Sequence, residues 1–236
     1  MDVNLGGFIP LSTVDWPGRS VCTIFFRGCH LRCPHCQNPK LRSGLTPIGL
    51  GDLEQMINES TPYISGIVFS GGEPTLQVSK LVILSHEARS HGLKVGLHTS
   101  GIMPGAMKIL LSGGHLDHVA LDIKASWDKY PNSLCPDTPH RVRSSLAICI
   151  EAFLFGQLPE LEIVFTAFNY NLDSLSEVVQ YTPRGIPLII QQGRPMDSSS
   201  SLSREYLLSI CKKLVSYKDS GCLRLRTEEK SEEIIY

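Results

Sequence analysis

The sequence predicts an α/β protein, a partial (β/α)6 barrel of parallel strands with helices outside, and three observations predict it. From residue 20 onward, short β-rich apolar runs alternate with longer segments of helical period. No other internal repeat and no shift in composition breaks that alternation. The motifs that carry chemistry fall at the carboxyl ends of the strand runs, where parallel α/β folds place their sites.

The strand runs are Val21 to Phe26, Gly66 to Ser70, Lys94 to His98, His118 to Ile123, Leu161 to Ala167 and Ile186 to Ile190. Between and after them, residues 51–60, 75–91, 104–112, 141–155, 171–181 and 202–217 read as helices. In 141–155 the apolar residues Val142, Leu146, Cys149, Ile150, Phe153 and Leu154 recur at three- and four-residue steps, and Leu207, Ile210, Cys211 and Leu214 do the same in the last helix. Those faces are expected to pack on the sheet. Asp197 and the serines after it read as a loop with a helix N-cap. Residues 1–226 read as one domain, and 227–236, TEEKSEEIIY, as a charged solvated tail.

A chain of 236 residues with 42% hydrophobic content can bury a sizeable core. Its formal charge of -1, from 22 basic and 23 acidic residues with no long Lys/Arg block, argues against a nucleic-acid ligand. No apolar run has the length to span a bilayer, and MDVNLGGFIP lacks the basic and apolar pattern of a secretory signal, so a cytoplasmic protein with no membrane partner is expected.

Three of the eight cysteines, Cys29, Cys33 and Cys36, form a C-x3-C-x2-C array in FFRGCHLRCPHCQNP, directly behind the first strand. Cys22, Cys149 and Cys211 fall on apolar patterns, where a thiol behaves as a small buried hydrophobe, while Cys135 and Cys222 stand in turn-like contexts. Thiolates suit zinc or iron-sulfur clusters. His30 or His35 could complete a Cys3His zinc site, but the loop would have to fold back on itself within eight residues. Three cysteines on a four-iron cluster leave one iron open to an exogenous ligand, which describes a reactive site.

The array, followed by FSGGEP at 69–74 behind the second strand, resembles the radical S-adenosylmethionine superfamily. The resemblance implies that Cys29, Cys33 and Cys36 bind a [4Fe-4S] cluster whose open iron is chelated by S-adenosylmethionine (SAM). One electron then cleaves the sulfonium, and the resulting 5'-deoxyadenosyl radical removes a hydrogen atom from the substrate. By motif, Gly71, Gly72 and Glu73 form the edge that receives the methionine amino group, and His35, before the third cysteine, packs on adenine. LHTSG at 97–101 resembles the L-D-T-N-G of glycyl-radical-enzyme activases, which places Thr99 and Ser100 toward the ribose and sets His98 where relatives carry aspartate. LDIK at 121–124 resembles their L-D-L-K, so Lys124 faces the methionine carboxylate and Asp122 braces it or a neighbouring loop. Gln191 and Gln192 are candidates for the carboxylate contact that an arginine makes in relatives.

STVDWPGRS at 12–20 resembles the T-V-D-G-P-G loop of the same activases, which makes Asp15 a candidate contact to the partner enzyme. On the residues alone, DWPG is a tight turn with Trp16 packed against the strands. The D-W-P-G form, with C-Q-N-P after the array, is most similar to the activating proteins of anaerobic ribonucleoside-triphosphate reductases. The resemblance thus implies a glycyl radical enzyme as partner, with anaerobic ribonucleotide reductase as the specific expectation, and a flavodoxin- or ferredoxin-type electron donor. Another radical SAM enzyme acting on a small molecule is the alternative reading, and a non-catalytic iron-sulfur or zinc protein a further one.

Overall fold

The computed structural model describes all residues except 132, 196–199, 220 and 231; Asp197 and the serines at 198 and 199 lie outside the described residues. It divides into two compact units that interleave along the chain. One comprises residues 1–30, 38–120 and 140–160, the other residues 31–37, 121–139 and 161–236.

The first unit carries β1 (Asp2–Ser12), β2 (Val21–Phe26), β3 (Pro47–Gly49), α1 (Leu50–Ser60), β4 (Gly66–Gly71), α2 (Val78–Ser90), β5 (Lys94–Thr99) and α3 (Pro104–Ser112). Strand β6 (His118–Asp122) begins in it, and most of α4 (Thr138–Leu154) belongs to it. Its strands lie in the order β3-β1-β2-β4-β5, with β2, β4 and β5 parallel. Val21, Cys22, Ile24, Phe26, Ile67, Val68, Phe69, Val95 and Leu97 are all buried, the continuous apolar pattern of strands covered on both faces. The second unit carries β7 (Glu160–Ala167) from Leu161 onward, α5 (Leu175–Tyr181), β8 (Leu188–Gln192), α6 (Arg204–Leu214), β9 (Leu223–Arg226) and β10 (Glu233–Ile234). Here β7, β8 and β9 are parallel and β10 returns antiparallel. The α/β class with parallel strands is therefore as expected, and the six strand runs read from the sequence are β2 and β4 to β8.

Four strands escaped the sequence pattern. Strand β1 pairs antiparallel with β2 but shifts register between Leu5 and Gly7 and again between Ile9 and Ser12. Those bulges break its period-two pattern and accommodate Pro10, which has no N–H to give a ladder. Strands β3, β9 and β10 are too short to show a period. The charged tail is not a solvated end: Ile235 is buried, its N–H donates to Leu223 O at 2.9 Å, and Glu233 is paired with Arg204. Three of its four acids, Glu228, Glu232 and Glu233, are matched to arginines of the same unit, which a reading of the tail by itself could not see. Helix α6 is capped by Ser203, whose Oγ accepts from Tyr206 N at 3.2 Å. Among the described residues no helix is long and apolar enough to cross a membrane.

Candidate active site

In the first unit, β4 ends in a turn pressed against the backbone that leaves β2. Gly72 N donates to Phe26 O at 2.8 Å and Glu73 N to Gly28 O at 2.7 Å. A Cβ on Gly71, which has φ 117°, would lie 2.4 Å from Phe26 O, and one on Gly72 would lie 2.3 Å from Gly28 O. The chain's own backbone is what forbids side chains at these two positions. Glu73 is fully buried, and its carboxylate is filled from within the unit. Oε1 accepts from Thr75 N (3.2 Å), Thr75 Oγ1 (2.5 Å) and Thr99 Oγ1 (2.7 Å), while Oε2 accepts from Ser100 N (3.0 Å) and Ser100 Oγ (2.5 Å). Thr99 Oγ1 accepts in turn from Gly101 N at 3.0 Å. Glu73 thereby ties the end of β4 to the end of β5, and the protons of both hydroxyls assigned to the ribose are spent on it.

The DWPG loop packs on strands β2 and β5 of this unit. Trp16 is buried, donates from Nε1 to Glu160 Oε2 at 2.9 Å, stacks on His118 at 4.8 Å between ring centroids and lies under the Arg19 guanidinium. A Cβ on Gly96 would reach the Trp16 ring at 3.1 Å, so the glycine lets the indole lie close against β5. Asp15 is half-buried and its Oδ2 accepts from Thr23 Oγ1 at 2.8 Å, which fixes its direction. His98 meets His118 edge-on at 6.1 Å. Cys29, at the end of β2, is half-buried, and its N–H donates to Arg42 O at 3.1 Å.

The second unit holds Cys33, His35, Cys36, Asp122 and Lys124. Lys124 is paired with Asp122 Oδ2. Burial alone would lower the ammonium's pKa, but the Asp122 carboxylate and then the Cys33 thiol outweigh it and hold the lysine charged. Burial raises the Cys33 thiol, with Lys124 pulling the other way. Asp122 Oδ1 is buried with no hydrogen-bond partner among the described residues. His35 stacks on Phe168 (5.0 Å, 26°) and meets Tyr170 at 5.4 Å. These rings, with Gly193, Pro195 and Leu202, line a pocket of about 170 Å³. A Cβ on Gly193 would strike the Phe168 ring at 2.4 Å. Asn171 positions this wall: Oδ1 accepts from Phe168 N at 2.8 Å, and Nδ2 donates to Lys124 O at 3.1 Å and Thr166 O at 3.0 Å.

The family model of the radical SAM superfamily matches residues 23–180. The chain belongs to the radical SAM superfamily. Its cofactors are accordingly a [4Fe-4S] cluster and S-adenosylmethionine. A Methanocaldococcus jannaschii protein described as a candidate glycyl-radical enzyme activating enzyme is 30% identical over 64% of this radical SAM chain and 63% of its own length. The pyruvate formate-lyase-activating enzyme of Clostridium pasteurianum is 34% identical over 48% and 49%. The chain thus spans less than two thirds of the length of these relatives. Among solved structures, TYW1 with a lysine-pyruvate adduct bound has a TM-score of 0.65 at 12% identity, covering 91% of this chain and 78% of that one. QueE from Escherichia coli has a TM-score of 0.55 at 13% identity, covering 96% and 94%. At such identities the likeness shows the fold alone, the partial α/β barrel class that the strand and helix alternation predicts.

The residues present suit the radical SAM cofactors. Three half-buried cysteines outside any disulfide offer iron ligands, Lys124 offers a cation to a carboxylate, and the orphaned Asp122 Oδ1 asks for a donor. Among the described residues no three His, Cys, Asp or Glu side chains are grouped to hold a single metal ion. Sequence reasoning missed Phe168, Tyr170 and Asn171, although the run FNYN directly behind the fifth parallel run was a visible signal. It also offered Gln192 as a ligand contact, whereas its Nε2 donates to Leu202 O at 2.7 Å and its Oε1 accepts from Glu228 N at 2.8 Å. Cys135 and Cys222 sit in backbone turns, with Cys135 N donating to Ser133 Oγ and Cys222 N to Asp219 O.

Proposed function

We propose that this chain is a radical SAM activase that installs a glycyl radical on a separate enzyme, and that the partner is an anaerobic ribonucleoside-triphosphate reductase. The observation that carries this reading is the D-W-P-G loop at 15–18, in a chain whose cysteine array and GGE turn match radical SAM motifs and whose relatives are described as activating enzymes. In this reading Cys29, Cys33 and Cys36 hold the cluster. The bound cluster and SAM together supply a strongly oxidising carbon radical at the cost of one external electron.

The chain's own residues bind and orient. His35, Phe168 and Tyr170 offer stacked faces to the adenine, in a pocket well under the roughly 300–1,000 Å³ of drug-sized sites and so suited to one ring system. Lys124 gives its charge to the methionine carboxylate, and Asp122 Oδ1 accepts from the methionine ammonium. Glu73 is already filled, so the edge at Gly71 and Gly72 meets the ligand with backbone carbonyls, while Thr99 and Ser100 face the ribose with oxygen lone pairs. Asp15, fixed by Thr23, meets the glycine-bearing segment of the partner. The electron donor is a flavodoxin- or ferredoxin-type protein, and the setting is cytoplasmic.

The test is anaerobic reconstitution with SAM and reductant, followed by addition of the reductase. Formation of 5'-deoxyadenosine above a Cys33→Ala control and a glycyl doublet in electron paramagnetic resonance are the expected results. Cofactor cleavage with no doublet would turn the reading to a small-molecule substrate, and no cleavage at all would end the enzyme reading.

A further inference from the structure

Between Asp15 and Asp52 the chain has no carboxylate, yet that stretch carries Arg19, Arg27, Arg32, Lys40 and Arg42 around the cysteine array. In a chain of formal charge -1 this is a local excess of one sign. Within the first unit the fold gathers three of these cations beside Cys29. Gly28 N donates to Leu41 O at 2.8 Å and Cys29 N to Arg42 O at 3.1 Å, so the loop after residue 38 runs alongside the end of β2. The Arg27 guanidinium donates to Thr46 Oγ1 (2.7 Å), Lys40 O (2.5 Å) and Ser43 O (3.1 Å). Its donors are spent on neutral oxygens, which fixes its place and leaves its charge uncompensated. Among the described residues none of Arg27, Lys40 and Arg42 is ion-paired with a carboxylate. The acid on the strand packed here, Asp2, lies two residues before Asn4, whose O accepts from Arg27 N, and pairs in register with Gly49; among the described residues it forms no ion pair with these cations. In the same loop Leu45 is 85% exposed, an apolar side chain set among cations.

We infer that the face built by Arg27, Lys40, Arg42 and Leu45 is the docking surface for an acidic one-electron carrier protein. The inference rests on the reading above, in which one electron must reach the cluster from outside. Electron tunnelling falls steeply with distance, so a carrier has to dock near the cysteine loop, and this face borders its first cysteine. The transfer itself is simple: the carrier, a low-potential flavin or iron-sulfur protein, is oxidised by one electron and the cluster is reduced by one. Uncompensated positive charge steers an acidic partner and speeds encounter, while one exposed leucine suits the small contact of a transient redox complex.

The test measures association of the reconstituted protein with a flavodoxin, without air, at low and at physiological salt. The Lys40→Glu/Arg42→Glu variant is expected to lower the association rate at least about tenfold at low salt and to flatten its salt dependence, since screening acts on just these charges. Leu45→Ser is expected to raise the dissociation rate instead. An unchanged association rate and salt slope in the double variant would overturn the inference. So would weakened binding of the glycyl radical enzyme with flavodoxin binding intact, because the face would then belong to the other partner. Dithionite needs no docking, so absence of SAM cleavage with dithionite counts against the proposed function and is read separately from association.

Discussion

Glu73 closes the turn after β4 in one unit, Asp122 ends β6 in the other, and the chain treats these two carboxylates in opposite ways. Both oxygens of Glu73 are filled, by two backbone N–H groups and three hydroxyls. Asp122 has Lys124 on one oxygen and nothing on the other among the described residues. A buried carboxylate saturated by its own chain is a brace. One left half-filled costs stability, and an approaching ligand can repay that cost. The family motif GGE implies a place for Glu73 at the ligand; the hydrogen bonds show its carboxylate occupied by Thr75, Thr99 and Ser100.

The largest effect should therefore come from breaking the brace. Glu73→Ala strands five donors in a dry site, and the expected cost is about 4 kcal/mol of folding stability. At roughly 2–4 °C per kcal/mol for a chain of this size, thermal unfolding of the cofactor-free protein should fall by about 8–16 °C. A shift of only a degree or two would mean that Glu73 is not a brace and that its donors find other partners.

This contrast marks where the sequence was legible. The parallel strands were readable because Val21–Phe26 and its successors are apolar runs covered on both faces, and the cysteine array because its spacing is local. The saturation of Glu73 was not readable, since Thr99 and Ser100 lie 26 and 27 residues away and a hydroxyl facing a ribose has the same sequence as one facing a carboxylate. Strand β1 was hidden by its two bulges, and the aromatic wall of Phe168 and Tyr170 because its partner His35 is distant in the chain.

Buried thiols extend the contrast to pH. Burial pushes Cys22, Cys149 and Cys211 up to about 12 from 9.0, and no ligand relieves them. Their folded pKa values lie above the unfolded one, so the stability they contribute is complete below pH 9 and is lost as pH rises from 9 toward 12. By pH 10 the loss should reach about 1–2 kcal/mol per thiol, seen as a falling urea midpoint. Cys149→Ala should make that fall shallower, and an equally steep fall would show that other groups cause it.

Asp122→Asn sharpens the other side. It keeps shape and volume, removes the charge that holds Lys124, and leaves stability within about 1 kcal/mol of the parent. SAM affinity, measured by equilibrium dialysis, should fall about tenfold, or about 1.4 kcal/mol. The brace variant loses stability first, and this one loses ligand first. If Asp122→Asn instead lowers thermal stability as much as Glu73→Ala while the protein that remains folded binds SAM as tightly as the parent, the two carboxylates do the same job and the contrast fails.

In the tail the same question is posed at the surface. Glu233 is held by Arg204, at 2.5 Å from Nη2, and Glu232 by Arg224 and Arg226, so the tail looks as if ion pairs fix it. Exposed pairs contribute little and salt screens them, whereas Ile235 is 5% exposed and removes apolar surface from water. Ile235→Ala should cost about 1–2 kcal/mol and keep that cost at 1 M salt, where the screening length is about 3 Å. Glu233→Gln should cost less and lose its effect in salt. The reverse order would show that charge docks the tail, and partner count would then be a better guide to stability at this surface than burial.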